Sequence, residues 1–142
     1  MKTETLRVVL DTNVILSSIS SKSPYRIVLD ELMKGSYEAC VTTEILLEYE
    51  EKIAAIFDQE VAHLFLSLMD TLPNVIKIDV YFNFQLITQD ADDNKMVDAA
   101  FSGNAEVIVT NDKHFHALKT VEFPKVSVMK IEQFKDWLLR GA

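Results

Sequence analysis

The chain of 142 residues has very little of what secreted, fibrous or membrane proteins are made from. It has one cysteine, Cys40, so no internal disulfide can form and a disulfide-stapled scaffold is excluded. Glycine and proline, three of each, are too few to build a flexible linker or a low-complexity segment. No apolar run approaches the roughly 18 residues that a membrane helix needs, so no membrane association is expected. The start, Met1-Lys2-Thr3-Glu4-Thr5, leads directly into an apolar run without signal-peptide architecture, and a soluble cytoplasmic protein is the expectation. An excess of positive charge is also missing. The formal net charge is −8, which argues against a general nucleic-acid binder with a basic footprint. It does not exclude an enzyme whose acids hold metal ions, because the ion inverts the local electrostatics.

What the chain does have is apolar sequence in short, regularly spaced stretches. Hydrophobic residues make up 49%, enough for an ordinary core in one domain spanning residues 1–142. Leu6 to Leu10 is short, apolar and β-branched, and reads as a strand buried on both faces. Val14 to Ile19 reads as a short helical segment. A serine-rich loop follows, and Ser23-Pro24 is a helix start. That helix carries Ile27, Val28, Leu32 and Met33 on one stripe and ends at Gly35.

Tyr37 to Val41 is a second strand. Thr42 or Thr43 caps the next helix, with Ile45, Leu46, Tyr49, Ile53, Ile56 and Phe57 close to a 3.6-residue period. Another helix runs from about Gln59 to Leu72 through Val61, Leu64, Phe65, Leu68 and Met69, until Pro73-Asn74 stops it. Val75 to Ile78 is a third strand. A helix after Asp90-Ala91-Asp92-Asp93 buries Met96, Val97, Ala100 and Phe101 and ends at Gly103-Asn104. Val107-Ile108-Val109 is the clearest central strand. A short helix near Phe115 to Leu118, a strand at Val126 to Met129 and a last helix from Ile131 to Leu139 complete the chain. Short apolar strands alternating with helices predict a parallel sheet covered on both faces, an α/β/α three-layer sandwich of four or five strands.

The acids are placed where such a sheet would use them. Val8-Val9-Leu10 ends in Asp11, and Val107-Ile108-Val109 ends in Thr110-Asn111-Asp112. In a parallel sheet both ends lie on one rim, and ligands bind where strand order reverses along it. Asp93 begins a helix at that rim. Glu48 lies one to two turns into another. Four acids from four stretches can therefore meet, and their mutual repulsion is relieved by a divalent cation. Carboxylates suit Mg²⁺ or Mn²⁺. No histidine or cysteine set has zinc spacing. The chemistry implied is metal-dependent phosphoryl transfer, most simply hydrolysis.

The segments Val9-Leu10-Asp11-Thr12-Asn13-Val14-Ile15, Thr43-Glu44-Ile45-Leu46-Leu47-Glu48-Tyr49, Asp92-Asp93-Asn94-Lys95 and Val107-Ile108-Val109-Thr110-Asn111-Asp112-Lys113 together resemble the PIN-domain family. The resemblance is to its compact prokaryotic ribonuclease toxins of toxin–antitoxin pairs. It implies a five-stranded parallel sheet with the first and fourth strands adjacent. It also implies an acidic pocket that binds Mg²⁺ or Mn²⁺ and cleaves RNA. Carried over, the catalytic and metal-binding residues are Asp11, Glu48, Asp93 and Asp112. Asn13 and Thr110 are supporting residues, and Asp92 is a cap or outer neighbour. Counting back from Thr110 favours Asp93 as the third acid, with Asp92 and Asp98 as alternatives. A small antitoxin partner and a homodimer are implied by the resemblance alone. The Tyr81–Gln89 segment matches no motif of the family.

Each of these residues also has an ordinary explanation. Asp11, Asp112 and the Asp90–Asp93 cluster are good helix caps, and Glu48 alone is an exposed helical acid. His114 and His116 read as surface residues near a helix start, His63 as structural and Cys40 as a small core hydrophobe. Tyr81, Phe82 and Phe84 read as core or dimer packing. Lys22, Arg26, Lys95 and Lys113 read as solvated surface or as a basic rim for phosphates. Two rival functions remain. One is an aspartyl-phosphate enzyme with Asp11 as nucleophile, disfavoured by Asn13 where that pattern carries a second Asp. The other is a non-catalytic RNA- or protein-binding module.

Overall fold

Strand β1 (Arg7–Leu10) is the centre of the molecule, and Val8, Val9 and Leu10 are all buried. The computed structural model describes residues 5–79, 91–113, 115 and 127–141, with residues 91–93 as backbone alone. Around β1 lie β2 (Glu38–Val41), β3 (Val75–Lys77), β4 (Val107–Val109) and β5 (Ser127–Met129). Their order is β3-β2-β1-β4-β5 and every pairing is parallel. The chain thus moves outward in one direction from β1, then returns to its other side. The register Leu10↔Val109 brings the ends of β1 and β4 together at that reversal.

The helices are α1 (Thr12–Ser18), α2 (Arg26–Lys34), α3 (Thr43–Ile56), α4 (Gln59–Thr71), α5 (Ala91–Ser102) and α6 (Ile131–Leu139). Right-handed crossovers place helices that connect strands in opposite directions on opposite faces. The packing agrees. α1 packs on α2 and α3, α3 on α4, and α2 on α6, whereas α5 lies against β1, β2 and β4. The parallel sheet covered on both faces that the sequence predicts is the one observed, with five strands.

Local chemistry sets the element ends. Thr42, the first of the two candidate caps, accepts a hydrogen bond from the Ile45 amide at 3.1 Å. Gly35 closes α2 in the left-handed conformation at φ 82°, which costs glycine least. Asp58 caps α4 through the Val61 amide at 2.8 Å. Ser23-Pro24 forms a turn rather than the first helical turn: Ser23 Oγ accepts from the Tyr25 amide at 3.0 Å, and α2 starts at Arg26.

Four apolar residues assigned to buried stripes are exposed. Met33 is 39% exposed and Leu29 is buried in its place on α2. Ile56 and Phe57 at the end of α3, and Leu64 on α4, are also exposed. Periodicity finds a stripe but not where its partner ends: α3 and α4 pack on each other, and their outer residues have nothing over them. Phe101 is half-buried, while Ala99 takes a core place on α5. Cys40 is the core hydrophobe expected, and burial pushes its thiol up to about 11. The aromatic Tyr81, Phe82 and Phe84, and His114 and His116, lie outside the described residues. His63 is at the surface, 3.0 Å from Gln59 Nε2.

Candidate active site

Asp11 follows the last residue of β1, and its amide still donates to the Val109 carbonyl at 3.0 Å. The sheet pairing therefore continues to the rim and fixes the backbone of the acid. Asp11 occupies the N-cap position of α1, yet its side chain makes no cap hydrogen bond. It turns instead toward β4, where the Thr110 hydroxyl donates to Oδ2 at 2.7 Å. Thr110 is itself buried, and its oxygen accepts from the Asp112 amide at 3.0 Å. Asp11 and Asp112 are thereby linked through one threonine at the β1/β4 reversal. Capping, the ordinary explanation for Asp11, does not account for this arrangement.

Glu48 arrives from α3. Ile45, Tyr49 and Ile53 form the buried stripe of that helix, and the Tyr49 hydroxyl donates to the Leu10 carbonyl, one residue before Asp11. This bond fixes α3 against the end of β1 and carries Glu48 to the rim. Its Oε2 accepts from the Thr12 hydroxyl, and its Oε1 lies 2.5 Å from Lys95 Nζ on α5. Its side chain is 16% exposed, so the exposed helical acid of the sequence reading is in fact enclosed.

The electrostatics follow. Burial raises the Asp11 carboxyl above its ordinary range, and the charges on Glu48 and Asp112 raise it further. The Thr110 hydroxyl and the Thr12 amide act in the opposite sense. Burial raises the Tyr49 hydroxyl well above its usual value, and the Asp11 and Glu48 charges add to it. Asp11, Glu48 and Asp112 thus belong to one electrostatic group.

Asp92 and Asp93 lie in the first turn of α5, and their side chains fall outside the described residues. Asp98 is buried within α5. Asn13 is exposed on α1, its carbonyl accepting from Ser17 Oγ at 2.9 Å, and it is Thr12 that ties to the acids. Of the basic residues, Lys22 and Lys113 are exposed and Arg26 holds Asp30 and the Ile19 carbonyl. Lys95 is not solvated surface but paired inside the site. Thr12 escapes sequence reasoning because it takes part through Glu48, and for Lys95 the sequence offers surface or basic rim but not the pairing with Glu48. The cue for Thr12 is its place next to Asp11.

Among the described residues, no three His, Cys, Asp or Glu side chains form a group able to hold a metal ion. The donors present are all oxygens, carboxylates with threonine hydroxyls beside them, and fit a hard divalent cation in kind.

A family model described as the PIN domain matches residues 7–114. The chain belongs to the PIN domain family. The match covers β1 through Asp112 and so includes every acid discussed above. No curated protein matches this PIN domain in sequence. Among solved structures it is similar to VapBC2 from Rickettsia felis, bound there to a DNA fragment from the promoter. The identity is 16% and the TM-score 0.61, covering 88% of this chain and 98% of the other. FitAcB from Neisseria gonorrhoeae is 18% identical with a TM-score of 0.55, covering 88% and 98%. The PIN domain endonuclease Utp24 is 15% identical with a TM-score of 0.53, covering 87% and 84%. At these identities the likeness is one of fold.

Proposed function

We propose that this PIN domain is a metal-dependent endoribonuclease and the toxin of a toxin–antitoxin pair. The observation that carries the reading is the state of Asp11. It is buried at the β1/β4 reversal, held by Thr110 rather than used as a cap, and exposed to the charges of Glu48 and Asp112. A buried acid beside two like charges is unfavourable unless a cation joins it. The endonuclease activity named for Utp24, which shares the fold, agrees with this reading.

Asp11, Glu48, Asp93 and Asp112 hold Mg²⁺ or Mn²⁺ in this proposal. Such a cation, when bound, polarises the scissile phosphodiester and makes water a nucleophile near neutral pH. Thr110 orients Asp11 and joins it to Asp112, and Thr12 orients Glu48. Asp92 is an outer member of the site in this proposal, and Asn13 flanks it from the exposed side of α1. RNA as the substrate, a small antitoxin as partner and a homodimer follow from the sequence resemblance, and a cytoplasmic location from the lone cysteine. The exposed Leu47, Ile56 and Leu64 on α3 and α4 offer apolar surface for a partner to cover.

The deciding experiment is RNA cleavage with Mn²⁺ and with EDTA, using Asp11→Asn as the control. Cleavage is expected with Mn²⁺ alone. It is expected to fall at least about 100-fold in Asp11→Asn, the scale of losing one preorganised electrostatic group. An Asp11→Asn protein that cuts RNA at the wild-type rate would refute the assignment. A non-catalytic module predicts no cleavage and no response to Mn²⁺.

A further inference from the structure

The Glu48–Lys95 pair lies inside the site rather than on its rim. Both side chains are 16% exposed and the charged atoms are 2.5 Å apart. The second oxygen of Glu48 accepts from Thr12, the residue that follows Asp11. Both carboxylate oxygens are thus engaged, one by a neutral hydroxyl and one by a cation. The neutral bond orients the group. The cationic bond occupies the position in which a metal ion would compete for the same oxygen.

An open groove of about 280 Å³ lies beside the pair, lined by Glu44, Leu47, Glu48, Glu51, Lys52 and Lys95. Its three carboxylates outnumber its two ammoniums, so as it stands it repels a phosphate. Lysine is a compact charge with three donors on a flexible four-carbon stem. It can therefore leave a carboxylate and meet a phosphate without backbone movement.

We propose that Lys95 is an internal counter-ion that holds Glu48 until a divalent cation takes the carboxylate, after which its ammonium binds a phosphate of the RNA. The inference rests on reading the site as a metal-dependent nuclease centre. It adds that metal binding and substrate binding are coupled through one side chain. The metal displaces Lys95 from Glu48; its two positive charges reverse the balance of the groove, and the released ammonium is then available to a phosphate. Lys95 is thus a positioning residue for Glu48 in the metal-free protein and a substrate-binding residue in the loaded one.

The test compares the wild-type protein with Lys95→Met and Lys95→Arg, using Mn²⁺ alone as the probe in calorimetry and thermal melting. Lys95→Met is expected to bind Mn²⁺ about tenfold more tightly, at the low end of what neighbours of metal ligands do to affinity. Its melting temperature is expected to fall without metal and to match the wild type when saturated with Mn²⁺. In RNA cleavage its KM should rise about tenfold while kcat changes by less than about twofold, the signature of lost binding rather than lost chemistry. Lys95→Arg should restore KM. Unchanged or weaker Mn²⁺ binding in Lys95→Met, or an equal fall in melting temperature with and without Mn²⁺, overturns the proposal. Lys95→Gln replaces Lys95→Met if circular dichroism shows that the latter does not fold. If wild-type protein binds no Mn²⁺, the reading of the site fails first, an outcome that calorimetry separates from failure of the role given to Lys95.

Discussion

At Asp11 two readings were open, a helix cap or a member of an acid cluster. The residue sits at the cap position and makes no cap bond, so the side chain's energy lies elsewhere. The raised carboxyl gives this a measurable consequence. An acid that holds its proton more tightly when folded contributes stability below its unfolded value near 3.8. That contribution is lost as pH rises through the raised folded value. In metal-free protein, charged Asp11 is therefore a liability at neutral pH. Asp11→Asn, which keeps an oxygen for Thr110, should gain in melting temperature relative to wild type as pH rises from 4 to 7 in EDTA. A gap that stays constant, or that favours the wild type more at neutral pH, would contradict the burial and like-charge account. Asp11 and Asp112 stand out in the sequence because each follows a strand, and Glu48 because it lies one to two turns into a helix that starts at the same rim. Thr12 does not, because a hydroxyl that acts through another side chain leaves no spacing to detect, and Lys95 stands out only as one of four basic residues, without its pairing to Glu48.

At the scale of elements, alternation of short apolar runs and helical stripes places all five strands and the caps at Thr42 and Gly35. It could not give the neighbours of β1. Strand order depends on crossover direction, a property of the whole chain rather than of any stretch. It also overextended the stripes on α3 and α4, since Ile56 and Leu64 repeat at helical spacing without anything to pack on. The anchoring of α5 was equally hidden. Gly103, which the sequence marks as a helix end, accepts from Arg7 Nη1 at 2.8 Å, tying α5 to β1. Arg7 in turn pairs with Glu38 of β2 at 2.9 Å. A Cβ on Gly103 would stand 2.7 Å from Ile78 Cδ1, 2.8 Å from Cys40 Sγ and 3.0 Å from the Ala99 carbonyl. This glycine is thus required for close approach rather than for its backbone angles. Gly103→Ala should cost about 1–3 kcal/mol in urea unfolding, the usual range for overpacking. It should lower the stability of α5 without removing any acid of the site, so cleavage by the folded fraction should persist. A cost under about 0.5 kcal/mol would mean that Ile78 and Cys40 yield freely.

The whole molecule carries a net charge of −8, and part of that charge is gathered at the β1/β4 reversal, where Asp11, Glu48 and Asp112 act on one another. Lys95 offsets one of these charges, leaving the group negative. Folding therefore works against repulsion that the unfolded chain, with its acids spread apart, does not feel. A cation that binds only the folded site adds RT ln(1 + [L]/Kd) to stability. Mn²⁺ at 100 times its Kd should then stabilise the protein by about 2.7 kcal/mol. For a chain near this length that corresponds to a rise of roughly 5–10 °C in melting temperature. EDTA should reverse the rise, and a monovalent salt of equal ionic strength should not reproduce it, because screening acts on exposed charges more than on enclosed ones. Asp11→Asn should respond weakly, having lost the buried acid of the group. A wild-type melting temperature that does not move at millimolar Mn²⁺ would remove the cation from the site and leave the acids to a non-catalytic role.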